Sequence, residues 1–238
     1  MNVKKIVKSL SVGMLLVLAI GGLVGCSSNK GEVGYNKIDS TKTEKLADEN
    51  ENVLVIDVRD EENYIKGHLA NAINIPFDEF EGKISELEIY KDQKILLICH
   101  TGNKSGKAAK MLIDNGFTKV YNAEDGMDEF DYKTVDYTNV TGNEFEKLVE
   151  ENKDAFILDV RDAKDYDKGS IKNAVNIPID EVESRLNEID DHKDEDILIY
   201  CSIGRRSAQV AELLKDKGFK NVVNSVDGVK EYDFNLVK

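Results

Sequence analysis

Two cysteines are each followed by a glycine and then by basic residues at short, matched spacings. Cys99 begins the segment Cys-His-Thr-Gly-Asn-Lys-Ser, and Cys201 begins the segment Cys-Ser-Ile-Gly-Arg-Arg-Ser. A loop of this length that closes on a helix N-terminus can turn several backbone N–H groups toward the sulfur. These donors, the helix dipole and a nearby cation all favour a thiolate over a thiol. The spacing therefore predicts two nucleophilic sulfurs, each inside an anion-binding loop.

The residues that follow each cysteine are the candidate binding residues of the two loops. They are His100, Thr101, Gly102, Asn103 and Lys104 in the first loop, and Ser202, Ile203, Gly204, Arg205 and Arg206 in the second. Arginine presents a planar fork that holds an oxyanion with two hydrogen bonds, whereas lysine acts as a point charge. We therefore expect the Cys201 loop to bind an anion more strongly than the Cys99 loop, and we rank Cys201 above Cys99 as a nucleophile.

An internal repeat relates the two cysteines. The tetrapeptide Asp-Val-Arg-Asp begins at residue 57 and again at residue 159, and the same shift of 102 residues maps Cys99 onto Cys201. No insertion interrupts the register, which divides the chain into units 35–136 and 137–238. A period this long indicates domain duplication, because solenoid repeats span about 20–50 residues.

Strands and helices alternate within each unit. Apolar stretches at 54–58 and 95–98, repeated at 156–160 and 197–200 and interrupted only by Asp57 and Asp159, are typical of strands buried on both faces. The second strand of each pair ends directly at its cysteine, and apolar residues at helical spacing follow the loop. Strands separated by helical stretches predict a parallel sheet covered by helices. The expected fold class is therefore α/β, formed twice.

Both units resemble rhodanese domains over nearly their whole length. The resemblance rests on the Asp-Val-Arg strand, Gly67-His68-Leu69, the segment Ala-Ile-Asn-Ile-Pro at 72–76, the cysteine loop, and the Asp-Gly turn at 125–126. The second unit repeats this order, with Gly-Ser-Ile at 169–171, where Ser170 replaces the usual histidine, and Ala-Val-Asn-Ile-Pro at 174–178. It implies two tandem rhodanese-like domains and a sulfurtransferase with Cys201 and Cys99 as catalytic residues. Such an enzyme moves sulfane sulfur from thiosulfate or a related donor, through a cysteine persulfide, to a thiol or cyanide-like acceptor.

Other functions stay open alongside sulfur transfer. Rhodanese-related phosphatases and arsenate reductases have five residues between cysteine and arginine, whereas four separate Cys99 from Lys104 and Cys201 from Arg206. That count disfavours a hydrolase. A non-catalytic sulfur carrier or binding module at the membrane is disfavoured because both cysteines lie in intact basic loops. We expect neither a cofactor nor a metal, since no cluster of histidine and cysteine has zinc-ligand spacing.

The first 25 residues have the features of a lipoprotein signal peptide. Three lysines precede an apolar run at 12–24, which is shorter than the roughly 20 residues that a spanning helix needs. The run closes on Leu-Val-Gly-Cys, which resembles the bacterial lipobox and ends at Cys26. We predict a signal peptide at 1–25, a flexible tether at 26–34 with lipidated Cys26, and an extracytoplasmic protein anchored to the bacterial cell membrane. The alternative is an uncleaved anchor helix.

The net charge limits the classes of partner. The formal charge is −14 over 238 residues, and a chain this acidic is a poor ligand for the phosphate backbone of nucleic acids. The predicted partners are a small sulfur donor, its acceptor, and the membrane through the lipid anchor alone.

Overall fold

The structure is a computed structural model that describes residues 34–48 and 53–238. The predicted signal peptide and the predicted lipid attachment at Cys26 lie outside the described residues. No helix in the described part of the chain has both the length and the apolar character to cross a membrane. The described residues all belong to one compact unit, so contacts between the two repeats are part of the fold.

The first repeat is built around a five-stranded parallel sheet. Its elements are β1 (Asn36–Ile38), α1 (Ser40–Asp48), β2 (Val53–Asp57), α2 (Glu61–Ile65), β3 (His68–Leu69), β4 (Ala72–Asn74), α3 (Phe77–Lys83), a 3₁₀-helix (Ile84–Tyr90), β5 (Lys94–Ile98), α4 (Asn103–Asp114), β6 (Val120–Ala123) and β7 (Thr134–Val135). The strand order in the sheet is β1-β6-β5-β2-β4, with every pair parallel. The short strands β3 and β7 form a separate antiparallel pair.

The second repeat has the same plan. Its elements are β8 (Thr138–Val140), α5 (Gly142–Glu151), β9 (Phe156–Asp159), α6 (Ala163–Tyr166), β10 (Ser170–Ile171), β11 (Val175–Asn176), α7 (Ile179–Val182), two 3₁₀-helices (Glu183–Glu188 and Asp190–His192), β12 (Asp196–Tyr200), α8 (Arg205–Asp216), β13 (Asn221–Ser225) and β14 (Leu236–Val237). The sheet order is β11-β9-β12-β13-β8, again all parallel. The predicted α/β fold class, with two tandem parallel sheets flanked by helices, is confirmed.

The central strand of each sheet is buried on both faces, which explains its uninterrupted apolar sequence. In β5, Ile95 and Leu97 pack into one hydrophobic cluster, whereas Leu96 and Ile98 pack into another. Alternate side chains of a strand point to opposite faces, so a sheet covered by helices on both sides needs apolar residues at every position. The strand β12 divides its residues between two clusters in the same way.

A buried ion pair holds the loop that follows β2. The Arg59 guanidinium lies 2.6 Å from the Asp57 carboxylate and donates to the Gly67 carbonyl at 2.7 Å. Arg161 and Asp159 repeat this arrangement in the second sheet, also at 2.6 Å. Buried charges are costly unless they are paired and hydrogen-bonded, so each arginine and its aspartate depend on one another. The pair holds the chain in place where β2, or β9 in the second sheet, ends.

The two sheets meet where β4 lies beside β8. The Tyr64 hydroxyl donates to the Ala72 carbonyl at 2.7 Å and accepts from the Asn139 backbone N–H at 3.1 Å. The His68 ring stacks on Tyr64 with 3.7 Å between ring centroids. Its Nδ1 lies 3.0 Å from the Tyr64 carbonyl, and its Nε2 lies 3.4 Å from the Asn139 side-chain amide. Buried polar groups of both repeats therefore satisfy one another across this seam.

Candidate functional site

Each candidate cysteine lies at the carboxyl end of the central strand of its sheet. Cys99 follows β5 and Cys201 follows β12, and both are free, buried thiols. Ligands of open parallel α/β sheets bind outside the carboxyl ends of the strands. The fold therefore places each sulfur at the edge of the sheet where such proteins carry their binding sites.

The first loop directs two hydrogen-bond donors at its sulfur. The Ser105 backbone N–H lies 3.3 Å from the Cys99 Sγ, and the Ser105 hydroxyl lies 3.2 Å from it. Ser105 is in the first turn of α4, where backbone N–H groups have no partner within the helix. Gly102 precedes this helix with a φ of +73°, a left-handed conformation that glycine adopts at little cost. The first turn of α4 therefore supplies both of the hydrogen-bond donors that reach the Cys99 sulfur.

The remaining predicted residues of the first loop lie around its outer side. The Asn103 side chain donates to the Thr101 hydroxyl at 2.9 Å. The His100 Nδ1 lies 2.9 Å from the Asp128 carboxylate. The exposed Lys104 ammonium lies 5.8 Å from the centroid of the Phe77 ring. The structure thus brings all the predicted residues into one loop, with its cation at the solvent side.

The second loop differs in its donors. The Ser207 hydroxyl lies 3.4 Å from the Cys201 Sγ, and it also lies 2.9 Å from the Gly204 carbonyl, which only accepts hydrogen bonds. Gly204 has a φ of +75°, which matches the first loop. The hydroxyl proton is therefore shared between the sulfur and a carbonyl oxygen at this site.

The second loop carries the arginine cations. Arg206 donates to the Ser202 hydroxyl at 3.0 Å and lies 3.6 Å from the Asp162 carboxylate. The Arg206 guanidinium therefore joins the start of the Cys201 loop to the first turn of α8. Ile203 and Arg205 line a cavity of about 30 Å³ that also borders the first repeat. The backbone donor at Cys99 and the arginines at Cys201 make the two sites different, and the expected advantage of Cys201 stays a prediction.

An Asp-Gly turn supports each cysteine loop from behind. The Met127 N–H donates to the Cys99 carbonyl at 2.8 Å, and the Val229 N–H donates to the Cys201 carbonyl at 3.1 Å. A Cβ on Gly126 would lie 2.2 Å from the His100 carbonyl oxygen. A Cβ on Gly228 would lie 1.9 Å from the carbonyl carbon of the residue after Cys201. Glycine is therefore required at both turns, because the two backbones are in direct contact.

The aspartates of these turns also hold the first helix of each repeat. Asp125 accepts the Ser40 N–H at 2.7 Å, and Asp227 accepts the Gly142 N–H at 2.6 Å. Burial raises the pKa of Asp227, and hydrogen bonds from Tyr90 and Gly142 oppose that rise. In the sequence, these turns were evident only as part of the resemblance. Their conserved spacing within the internal repeat was the available signal that they serve the cysteine loops.

Nothing in the described ranges suggests a metal centre. No group of three or more histidine, cysteine, aspartate or glutamate side chains at 34–48 and 53–238 is arranged to hold a metal ion. The groups that hydrogen-bond to the sulfurs are N–H and O–H donors, and such donors suit an anion.

The fold and the two loops define a tandem α/β protein in which each half has a buried thiol in a loop that closes on a helix N-terminus. The family model for the rhodanese-like domain matches residues 40–133 and residues 141–234. The chain belongs to the rhodanese-like domain family, as the resemblance implied.

Three similar proteins illustrate the extent of this relationship. The Bacillus subtilis protein named "Putative sulfur carrier protein YrkF" is 40% identical over 88 residues, which cover 37% of this chain and 46% of that protein. A tRNA uridine(34) hydroxylase from Escherichia coli is 36% identical over 87 residues, covering 35% of this chain and 25% of the hydroxylase. The crystal structure of a rhodanese-like domain protein from Staphylococcus aureus is 34% identical, covers 42% of this chain and 95% of that one, and has a TM-score of 0.38. This chain spans less than half the length of both curated relatives.

Proposed function

We propose that this protein is a sulfurtransferase that carries sulfane sulfur as a persulfide on Cys201 and Cys99. Membership of the rhodanese-like family supports a role in sulfur transfer. The observation that carries the proposal is the placement of hydrogen-bond donors on both sulfurs, with Ser105 at 3.2 Å from Cys99 and Ser207 at 3.4 Å from Cys201. Donors aimed at the cysteine sulfur stabilise the thiolate that attacks the donor and that returns when the acceptor takes the outer sulfur.

The chemistry takes two steps. The cysteine thiolate attacks the outer sulfur of thiosulfate, an S–S bond forms to the enzyme, and the S–S bond of thiosulfate breaks as sulfite leaves with the electron pair. A thiol or cyanide-like acceptor then attacks the outer sulfur of the persulfide, and the cysteine leaves as the thiolate. The enzyme ends as it began, so no cofactor is needed. The two half-reactions are separate, and we expect ping-pong kinetics.

The test compares Cys99→Ser, Cys201→Ser and the double variant in a thiosulfate:cyanide assay. Intact-mass measurement after thiosulfate treatment counts the sulfur atoms gained, and each single variant serves as the control for the other cysteine. We expect two sulfur atoms in the parent protein, one in each single variant and none in the double variant. Full activity in the double variant would refute the proposal. Release of phosphate from an aryl phosphate would support the hydrolase instead.

The lipid anchor is a separate part of the proposal. The basic leader, the short apolar run and the Leu-Val-Gly-Cys sequence support cleavage before Cys26 and lipidation of its sulfur. Expression in a bacterial host with a labelled fatty acid should label the parent protein in the membrane fraction. Cys26→Ser should remove the label, whereas Cys99→Ser should keep it. A parent protein without label, or one that retains residues 1–25, would contradict the anchor.

A further inference from the structure

The turn at Val226–Gly228 lies between the first repeat and the Cys201 loop. Val226 packs against the hydrophobic cluster of the first repeat. At the matched position, the first repeat has Glu124, which is exposed. The same turn is therefore covered by a neighbouring domain in one repeat and open to solvent in the other.

A short hydrogen bond joins this turn to the first repeat. The hydroxyl of Tyr90 donates to the Asp227 carboxylate at 2.5 Å, and the two residues are 2% and 6% exposed. A hydrogen bond between two buried groups is shielded from competition with water, and either group would be left unsatisfied without the other. The second repeat has His192 where the first has Tyr90, and this side chain faces Glu195 at 2.6 Å on the surface. The two repeats are therefore not equivalent here: the first repeat contacts the turn beside Cys201, whereas His192 of the second repeat pairs with Glu195 of its own repeat.

The backbone of the turn packs directly against the backbone of the Cys201 loop. The N–H groups of Val229 and Lys230 donate to the carbonyls of Cys201 and Ser202, both at 3.1 Å. A Cβ on Gly204 would lie 2.0 Å from the Val226 carbonyl oxygen, so the loop and the turn pack backbone against backbone. A displacement of the turn must therefore displace the loop that surrounds the sulfur.

We propose that Tyr90 of the first repeat is a positioning residue for the Cys201 site, which it holds in place through Asp227. The inference rests on the proposed sulfur loading of Cys201. The first repeat then has two roles, since it carries its own thiol and also orders the loop of the second. Small displacements of a reacting group are costly in rate, because catalysis depends on pre-formed geometry. Loss of the Tyr90 hydroxyl should slow sulfur loading at Cys201 and leave Cys99 unaffected.

The experiment measures sulfur loading at each cysteine within the same molecule. The full-length protein is mixed with saturating thiosulfate, quenched with an alkylating reagent, digested, and analysed by mass spectrometry of the two cysteine peptides. Tyr90→Phe removes one hydroxyl and keeps the ring. Tyr64→Phe is the matched control, because it removes another buried hydroxyl at the seam between the repeats, one whose hydrogen bonds go to Ala72 and Asn139 and not to the turn. Cys99 is the internal control for folding of the first repeat.

We expect Tyr90→Phe to slow loading at Cys201 by about 3-fold to 30-fold, with Cys99 unchanged. Tyr64→Phe should change both rates by less than about twofold. Asp227→Asn keeps a side-chain oxygen that can accept hydrogen bonds from Tyr90 and Gly142, so this variant should retain sulfur loading at Cys201. Asp227→Ala has no such oxygen and should lose it. This rescue separates positioning by the hydrogen bond from a general loss of packing.

Three results would overturn the inference: an unchanged Cys201 rate in Tyr90→Phe, equal slowing at both cysteines, or an equal effect of Tyr64→Phe. Each of these would leave the proposed function standing, because the parent protein would still load sulfur. Failure of the parent protein to load Cys201 would refute the proposed function itself, and the inference with it.

Discussion

The buried histidine at the seam between the repeats should make folding stability depend on pH. His68 is fully buried, stacks on Tyr64 and has a hydrogen-bond partner at each ring nitrogen. Burial lowers its pKa to about 4, more than the Tyr64 carbonyl and the Asp57 carboxylate raise it. In the unfolded chain the same ring titrates near 6.5. The unfolded state therefore binds a proton more readily than the folded state between these two values.

The sign and size of the effect follow from this difference. Stability from neutral His68 is complete above about pH 6.5 and is lost as the pH falls toward about 4. A difference of roughly two and a half pKa units corresponds to about 3 kcal/mol, of which about 2 kcal/mol is lost by about pH 5. The folded ring cannot easily take the second proton, because its Nε2 faces the Asn139 amide, at 3.4 Å, in a site without water contact.

The assay combines proton NMR of the histidine rings with urea unfolding. The chain has three histidines, so single substitutions assign their signals. His68→Ser copies residue 170, the matched position of the second repeat, and His192→Ser is the control at a partly exposed histidine. Between about pH 7.5 and about pH 5, the parent protein and His192→Ser should lose about 2 kcal/mol more than His68→Ser loses. A His68 signal that titrates near 6.5, or the same pH dependence in all three proteins, would refute the reasoning.

Three further predictions concern the two loops. Ser105→Ala removes a hydroxyl from the Cys99 sulfur and should slow sulfur loading there by about threefold to tenfold, as measured on the Cys99 peptide; an unchanged rate would mean that this donor is not needed. Gly228→Ala places a Cβ 1.9 Å from neighbouring backbone and should lower the free energy of unfolding by about 2–4 kcal/mol in urea, whereas a change within about 0.5 kcal/mol would contradict the backbone contact. Arg206→Lys loses the planar fork and should raise the thiosulfate concentration for half-maximal loading of Cys201 by about threefold or more, and an equal concentration in both proteins would exclude a binding role for the fork.

The internal repeat made the architecture of each half predictable. Apolar runs at 95–98 and 197–200 predicted buried strands that end at the cysteines, because a strand covered on both faces needs apolar residues at successive positions. The glycines three residues after each cysteine predicted loops that close on helices, and both helices begin at the following residue. These features depend on local sequence, so one chain sufficed to find them.

The donors around the sulfurs were only partly predictable. The sequence suggested several backbone N–H groups near each cysteine, whereas the structure places the Ser105 N–H and hydroxyl on Cys99 and the Ser207 hydroxyl on Cys201. Near-identical spacing in the two loops therefore did not produce identical surroundings. Small differences in the backbone and in the direction of the serine hydroxyl decide which donors reach the sulfur. Residue type and spacing do not reveal differences of this size.

The sequence alone determined the duplicated α/β fold, the two cysteine loops and their place at the ends of buried strands, because these follow from local patterns and from the internal repeat. Only the tertiary structure decided how the halves affect one another. Tyr90 and Asp227 are separated by 137 residues, yet their side chains meet at 2.5 Å, and no local periodicity marks that contact. The matched positions 124 and 226 differ for the same reason. Val226 packs against the first repeat, whereas Glu124 faces solvent. Domain packing selects one surface of each repeat to bury, and this choice depends on the shape of both surfaces together.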